Sequence, residues 1–217
     1  MNRLPFTHWL LALVFMILCC DRVTWASVPT DDMVLVPAGE FTMGAPADQG
    51  GLPDEQPMRL VYVSAFWIDR YEVTNAAYLA FVEATHYEAP ANAAPRLNLW
   101  EQNRPIQGIE QHPVVNVSWL DAVAFCRWAK KRLPTEAEWE KAARGTDRRT
   151  YPWGNAWTID HANSASYWAG TTVEFANSAE WEAFWIKGQG AEISKAKGLK
   201  GEILPLPVGS FPAGASP

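Results

Sequence analysis

Side chains able to do chemistry are few in this chain, and they are scattered. Cysteine occurs at Cys19, Cys20 and Cys126, and histidine at His8, His86, His112 and His161. No two of the histidines stand at helical spacing with a glutamate, as zinc hydrolysis would need, and no glycine-rich phosphate loop of the P-loop or dinucleotide type occurs. His86, His112 and His161 lie isolated in loop-like sequence, where an exposed or hydrogen-bonded structural imidazole is the expected state. Ser118 and Asp121 could suggest an activated nucleophile, but a helix cap accounts for both. Glu136, Glu138 and Glu140 alternate, and alternate helical residues point about 200° apart. They are therefore expected as a cap and a solvated face, not as one acid–base site. Cys126 recurs with Ala122, Phe125 and Ala129 on one helical stripe, and apolar surroundings raise a thiol's pKa and leave little reactive thiolate. Asn116-Val117-Ser118 fits a glycosylation sequon whose serine is committed to the cap.

The elements that must position these residues can be read in order. Met33-Val34-Leu35-Val36 and Glu40-Phe41-Thr42-Met43-Gly44 flank a Pro-Ala-Gly turn and predict a hairpin. Arg59 to Val63 and Phe66 to Asp69 read as a strand pair. Thr74 caps a helix predicted over 75–84, and a long Pro- and Asn-containing loop is expected over 88–113. Ser118 opens a helix over 119–131 with Asp121 in its first turn. Leu133-Pro134-Thr135-Glu136-Ala137-Glu138 supplies a proline stop and then a capping box, and Gly145 ends that helix. Tyr151-Pro152-Trp153-Gly154-Asn155 is an aromatic turn. Beyond Asn163 the periodicity decays, and low hydrophobe content with Gly and Lys predicts an irregular, mobile segment at about 171–204. Residues 207–212 look structured again.

Composition bounds the function. The 217 residues are 48% apolar and 19% charged, which supports a packed core and excludes a disordered charged tail. A formal net charge of -6 with no long basic run excludes nucleic acid as a partner. Twelve Trp, 16 Pro and 14 Gly favour a loop-rich fold pinned by aromatics over a helical bundle. Residues 1–26 read as a signal peptide: a weakly basic start, an apolar run from Trp9 to Cys20, and Thr24 and Ala26 ahead of a cut before Ser27. That run is shorter than the roughly 20 residues a membrane-spanning helix needs. A lipoprotein anchor on Cys19 or Cys20 is the rival, but Leu18 and Cys19, not small residues, precede them. Export to the periplasm or the exterior is expected, with no transmembrane span after cleavage, one domain over 27–217, and Cys126 as the remaining thiol. Nothing in the sequence fixes an oligomeric state.

Several ordered motifs carry a resemblance. Residues 33–44, Asp54-Glu55-Gln56-Pro57, residues 66–75, Pro113-Val114-Val115-Asn116-Val117-Ser118-Trp119 and residues 131–140 resemble the formylglycine-generating enzyme (sulfatase-modifying factor) family. Ala142-Ala143-Arg144-Gly145, Tyr151-Pro152-Trp153-Gly154 and residues 207–212 match in the same order. The resemblance implies an α+β, loop-rich, C-type-lectin-like fold with low regular secondary structure, here incomplete at the C-terminus. It implies a family chemistry in which O2 oxidises a sulfatase cysteine to formylglycine at a copper ion held by two thiolates, which are suitable soft ligands. Cys126 is similar to the family's helix cysteine and to neither copper ligand. The later family segments that carry those cysteines are not found in this chain, so copper is expected only for full-length members and no catalytic residue is assigned. Ala162-Asn163-Ser164 resembles part of a family calcium site, which makes Asn163 and Ser164 the candidate metal residues and calcium the candidate cofactor. The functions implied are an exported family member that is not an active oxidase, a binding or maturation accessory factor for an exported enzyme, or the N-terminal fragment of an active oxidase. Each has a protein or peptide as partner.

Overall fold

The computed structural model describes residues 32–46, 53–88, 99–196 and 205–217. The expected signal peptide at 1–26 lies outside the described residues. Among those described, no helix is long and apolar enough to cross a membrane.

Four short strands open the fold: β1 (Met33–Val36), β2 (Gly39–Met43), β3 (Arg59–Val63) and β4 (Phe66–Asp69). The expected hairpin of β1 with β2 does not form. β1 pairs antiparallel with β4, from Met33↔Asp69 to Val36↔Phe66, and β2 pairs with β3, from Gly39↔Val63 to Met43↔Arg59. The Pro-Ala break at 37–38 faces the Ser-Ala break at 64–65, so the chain carries on across the break instead of folding back. Both breaks bend one long ribbon. Alternation then sends Phe41, Met43, Val63 and Phe66 inward, where Ala137 and Ala142 pack against them.

Helix α1 (Asn75–Thr85) is capped by the Thr74 hydroxyl, which accepts from Ala77 N at 3.2 Å. The expected loop that follows contains a two-residue hairpin, β5 (Trp100–Glu101) with β6 (Arg104–Pro105). Its turn residues Gln102 and Asn103 both take positive φ, and Gln is an unusual choice there, which hid the turn from sequence. Helix α2 (Trp119–Trp128) stops a turn short of Lys131, because Lys130 turns left-handed and Lys131 N closes back on the Cys126 carbonyl. Helix α3 (Glu136–Arg144) follows, with the predicted Thr135–Glu138 capping box formed and Ser118 and Asp121 forming a second on α2. Tyr78, Phe81, Val82, Leu99, Trp100, Ile109 and Phe125 make the second core cluster, sealed by edge-to-face rings.

Helix α4 (Ala165–Ala169) follows the aromatic turn, and helices α5 (Ser178–Lys187) and α6 (Gln189–Ala196) correct the irregular reading over 178–196, while 171–177 is irregular as expected. Asn177 caps α5 through Glu180 N. Gly190, read as a linker residue, instead lets α6 close on α5: a Cβ there would stand 2.5 Å from the Trp185 ring and 2.7 Å from that of Phe184. Residues 205–217 return to the body, where Val208 N donates to the Gln111 carbonyl at 2.9 Å and Phe211 packs edge-on to Tyr167. Gly214 crosses the His161 carbonyl too closely for any side chain.

Candidate functional site

Cys126 is half-buried on α2. Burial pushes its thiol above the ordinary range, and the nearby Asp69 carboxylate adds to this against the opposing Lys131. Those two groups form an ion pair, Lys131 Nζ to Asp69 Oδ1, with Lys131 well covered. Such a thiol stays protonated at neutral pH and is a weak ligand and nucleophile. It is the one cysteine among the described residues, which also hold no group of three or more His, Cys, Asp and Glu fit to bind a metal. The described residues therefore do not fit a copper dithiolate.

Ser118 and Asp121 form the reciprocal cap, Asp121 N to Ser118 Oγ at 3.2 Å and Ser118 N to Asp121 Oδ2 at 2.7 Å. The Tyr87 hydroxyl donates to the other carboxylate oxygen at 2.8 Å. Burial lifts the Asp121 carboxyl, but the Ser118 and Tyr87 hydrogen bonds outweigh it and the net shift is downward. No base faces Ser118 in this arrangement.

The three glutamates separate. Glu136 is exposed, as expected of a solvated face, and Glu138 forms the expected cap, whereas half-buried Glu140 corrects the solvated reading. Glu138 is buried and takes both Arg132 nitrogens at 2.6 Å while capping Thr135 N. The Arg132 hydrogen bonds, helped by Thr135 and opposed by burial, hold its carboxyl down to about 2. Glu140 accepts from Gly44 N at 2.8 Å and Arg144 at 2.6 Å, joining α3 to the end of β2. Both are structural clamps whose partners lie where helical periodicity carries no information.

Asn75 is a hub that sequence reasoning missed. Its amide nitrogen donates to the Ile109 and His112 carbonyls at 3.0 and 3.1 Å, and its oxygen accepts Trp100 Nε1 at 2.8 Å. A polar residue in a helix's first turn ordinarily faces water, so no local signal marks it. Lys141 is likewise buried and donates to the Pro37 and Gly39 carbonyls at 2.7 and 2.9 Å. It borders a groove of about 300 Å³ between β1 and the end of α3, but its charge is committed to the ribbon's bend.

At the candidate calcium turn, Asn163 Oδ1 accepts Trp168 Nε1 at 2.6 Å and Ser164 Oγ caps α4 by accepting Tyr167 N at 3.2 Å. Calcium takes six to eight oxygens. One engaged amide oxygen and an engaged hydroxyl are an incomplete fit. His86 ends α1 in a left-handed conformation, and His112 lends its carbonyl to Asn75; neither meets a second chemical group. His161 stacks on Trp153, with Nδ1 at 3.0 Å from Asp160 Oδ1.

Around that histidine the aromatics gather. Tyr151 stacks on Trp153 at 5.4 Å, and Trp157 stands edge-on to Tyr151 at 5.3 Å. The turn that holds them is closed by both Tyr151–Gly154 backbone hydrogen bonds, and Trp153 Nε1 is tied to the Ala156 carbonyl. Beside them lies an open cleft of about 360 Å³ lined by Tyr151, Trp157, Ser166, Thr172, Val173 and Glu174.

The profile of the family described as "Sulfatase-modifying factor enzyme 1-like domain" matches residues 22–199. The chain belongs to the sulfatase-modifying factor family. It is 40% identical over 175 residues to a formylglycine-generating enzyme of Thermomonospora curvata, covering 64% of this chain and 57% of that protein. It is 35% identical over 185 residues to the inactive C-alpha-formylglycine-generating enzyme 2 of Mus musculus, covering 70% and 60%. Among solved structures, PvdO from Pseudomonas aeruginosa matches with 32% identity and a TM-score of 0.50, over 61% of this chain and 56% of that one. The fold is thus the loop-rich α+β fold of the sulfatase-modifying factors. This chain spans under two thirds of the length of these relatives.

Proposed function

We propose that this chain is an exported, non-catalytic member of the sulfatase-modifying factor family that binds a protein or peptide partner through its loop-rich surface. The carrying observation is the thiol count and state: Cys126 is the one described cysteine, it is half-buried, and its pKa is raised. Copper oxidation of a thiol in this family rests on a pair of thiolates, and the described residues supply no second cysteine beside Cys126. A relative of similar identity that is named inactive supports a family role without the oxidation. Export, to the periplasm or the exterior, rests on the apolar run and small residues of 1–26. The second reading, the N-terminal part of an active oxidase, draws on the 40% identity to a formylglycine-generating enzyme.

The deciding experiment incubates the purified chain with copper(I), O2 and a cysteine-containing sulfatase peptide, and reads the peptide mass. Unchanged peptide, with copper uptake equal in wild type and Cys126→Ser, is the expected result. Conversion of the peptide cysteine to the aldehyde would favour the second reading.

A further inference from the structure

Lys141 is the one buried cation among the described residues, at 4% exposure. Lysine is almost never buried to this degree without a carboxylate beside it, because a desolvated charge is costly unless it is neutralised. Lys131, Arg144 and Arg149 are less covered and keep that rule, with Asp69, Glu140 and Asp147. Lys141 meets no carboxylate among the described residues. The Pro37 and Gly39 carbonyls hold its ammonium at the ribbon's bend, but they are dipoles and do not neutralise it. An ammonium has three donors, so one remains without a described acceptor.

The same lysine lines the groove of about 300 Å³ between β1 and the end of α3. The groove's own charges are Lys141 and Arg149 against Asp147, one positive charge in excess, although the whole chain carries -6. Such a local field favours an anion. Around that charge the wall is apolar, built from Val34, Val36, Ala38 and Ala142, with Pro217 lying so close over Gly145 that a Cβ there would stand 2.9 Å from the proline ring. A liquid water takes about 30 Å³, so an inorganic ion alone would leave most of that wall wet. The Thr146 hydroxyl, also lining the groove, is exposed and makes no hydrogen bond among the described residues, so it can donate to an incoming oxygen.

We propose that this groove binds a short-chain aliphatic monocarboxylate, its carboxylate on the Lys141 ammonium and its tail along Val34, Val36 and Ala142. The charge-assisted hydrogen bond neutralises the buried lysine, and the tail displaces water from the apolar wall. A dicarboxylate or a phosphate fits less well, because its second charge would lie beside Asp147 with no cation left to match it. The site uses neither Cys126 nor the aromatic cleft and does not depend on the partner-binding reading.

The test titrates the purified full chain with sodium acetate, sodium butyrate and neutral butanamide at constant ionic strength, read by ligand-observed NMR. Affinity is expected to rise about threefold for each methylene added from acetate to butyrate, as burial of the tail requires. Butanamide should bind about tenfold more weakly than butyrate, the size of one charge-assisted hydrogen bond. Lys141→Met keeps an unbranched stem in place and should erase the preference for butyrate over butanamide. Ala38→Phe, at an exposed position of the bend, narrows the groove without replacing the lysine and should lower butyrate affinity about tenfold with an unchanged circular dichroism spectrum, so it decides the matter even where Lys141→Met does not fold. Absence of butyrate binding, equal affinity for butyrate and butanamide, displacement of butyrate by equimolar inorganic phosphate, or binding unaltered in Ala38→Phe would each overturn the proposal.

Discussion

Around α1 and α2, the rings of Tyr78, Phe81, Trp100 and Phe125 are each at most 5% exposed and pack edge against face. Around the 151–187 stretch, Trp157, Tyr167 and Trp181 pack against other rings yet stay from 36% to 50% exposed. The two regions use the same residue types at comparable density, and what separates them is the polar accounting. In the first, Asn75 satisfies the carbonyls of Ile109 and His112 and the indole of Trp100 together, so three chain segments can meet with few open hydrogen bonds. In the second the polar side chains make local bonds, Ser166 to Val173 and Asn177 to Glu180, and none described there joins three distant segments. Aromatic content alone does not make a core. A core also needs a group that settles the backbone's hydrogen bonds, and without one the same rings stay partly exposed.

Matched truncations test this contrast most sharply. Phe125→Ala is expected to cost about 4 kcal/mol in urea unfolding, through lost burial and a cavity, whereas Trp157→Ala should cost about 1 kcal/mol. Similar costs would remove the distinction between the regions. Asn75→Ala should follow at about 3 kcal/mol, because buried carbonyls and the Trp100 indole lose their partner; a loss below about 1 kcal/mol would mean that it is not the hub. Glu138 offers a pH handle on the closed half. Its carboxyl is lowered from 4.5 to about 2, so its contribution is complete above 4.5 and disappears as pH falls toward 2. We expect about 2 kcal/mol of acid-labile stability, allowing for the solvent-exposed Arg132, and a flatter stability curve over that window in Glu138→Gln. Ser166→Ala, in the open half, should cost about 1 kcal/mol in the same unfolding assay, through the lost Val173 contacts. The smallest effect concerns calcium: with Asn163 Oδ1 engaged by Trp168, millimolar calcium should shift the melting temperature by less than about 1 °C. A rise of several degrees that Asn163→Ala abolishes would instead place the ion there.

Much of the fold was legible because its signals are local. The Thr74, Ser118 and Thr135 caps, the Tyr151–Gly154 turn and the inward alternation of Phe41 and Met43 follow from residues within a few positions of one another. The β1–β2 hairpin was misread because the breaks at 37–38 and 64–65 matter only once they face each other. Over 178–196 the irregular reading failed for a related reason. Gly190 looks like flexibility in sequence, and only the rings of Phe184 and Trp185 reveal it as a contact.

By itself the sequence determined the family, the acidic net charge and the helix starts, since composition, caps and ordered motifs are properties of neighbouring residues. Tertiary structure alone decided that Asn75 is a hub, that Glu138 is buried against Arg132 and Glu140 half-buried against Gly44, and that Trp157 and Glu174 line one cleft. Each of these depends on which distant segments meet, and a hydrogen bond or ring contact across tens of residues leaves no periodic trace along the chain.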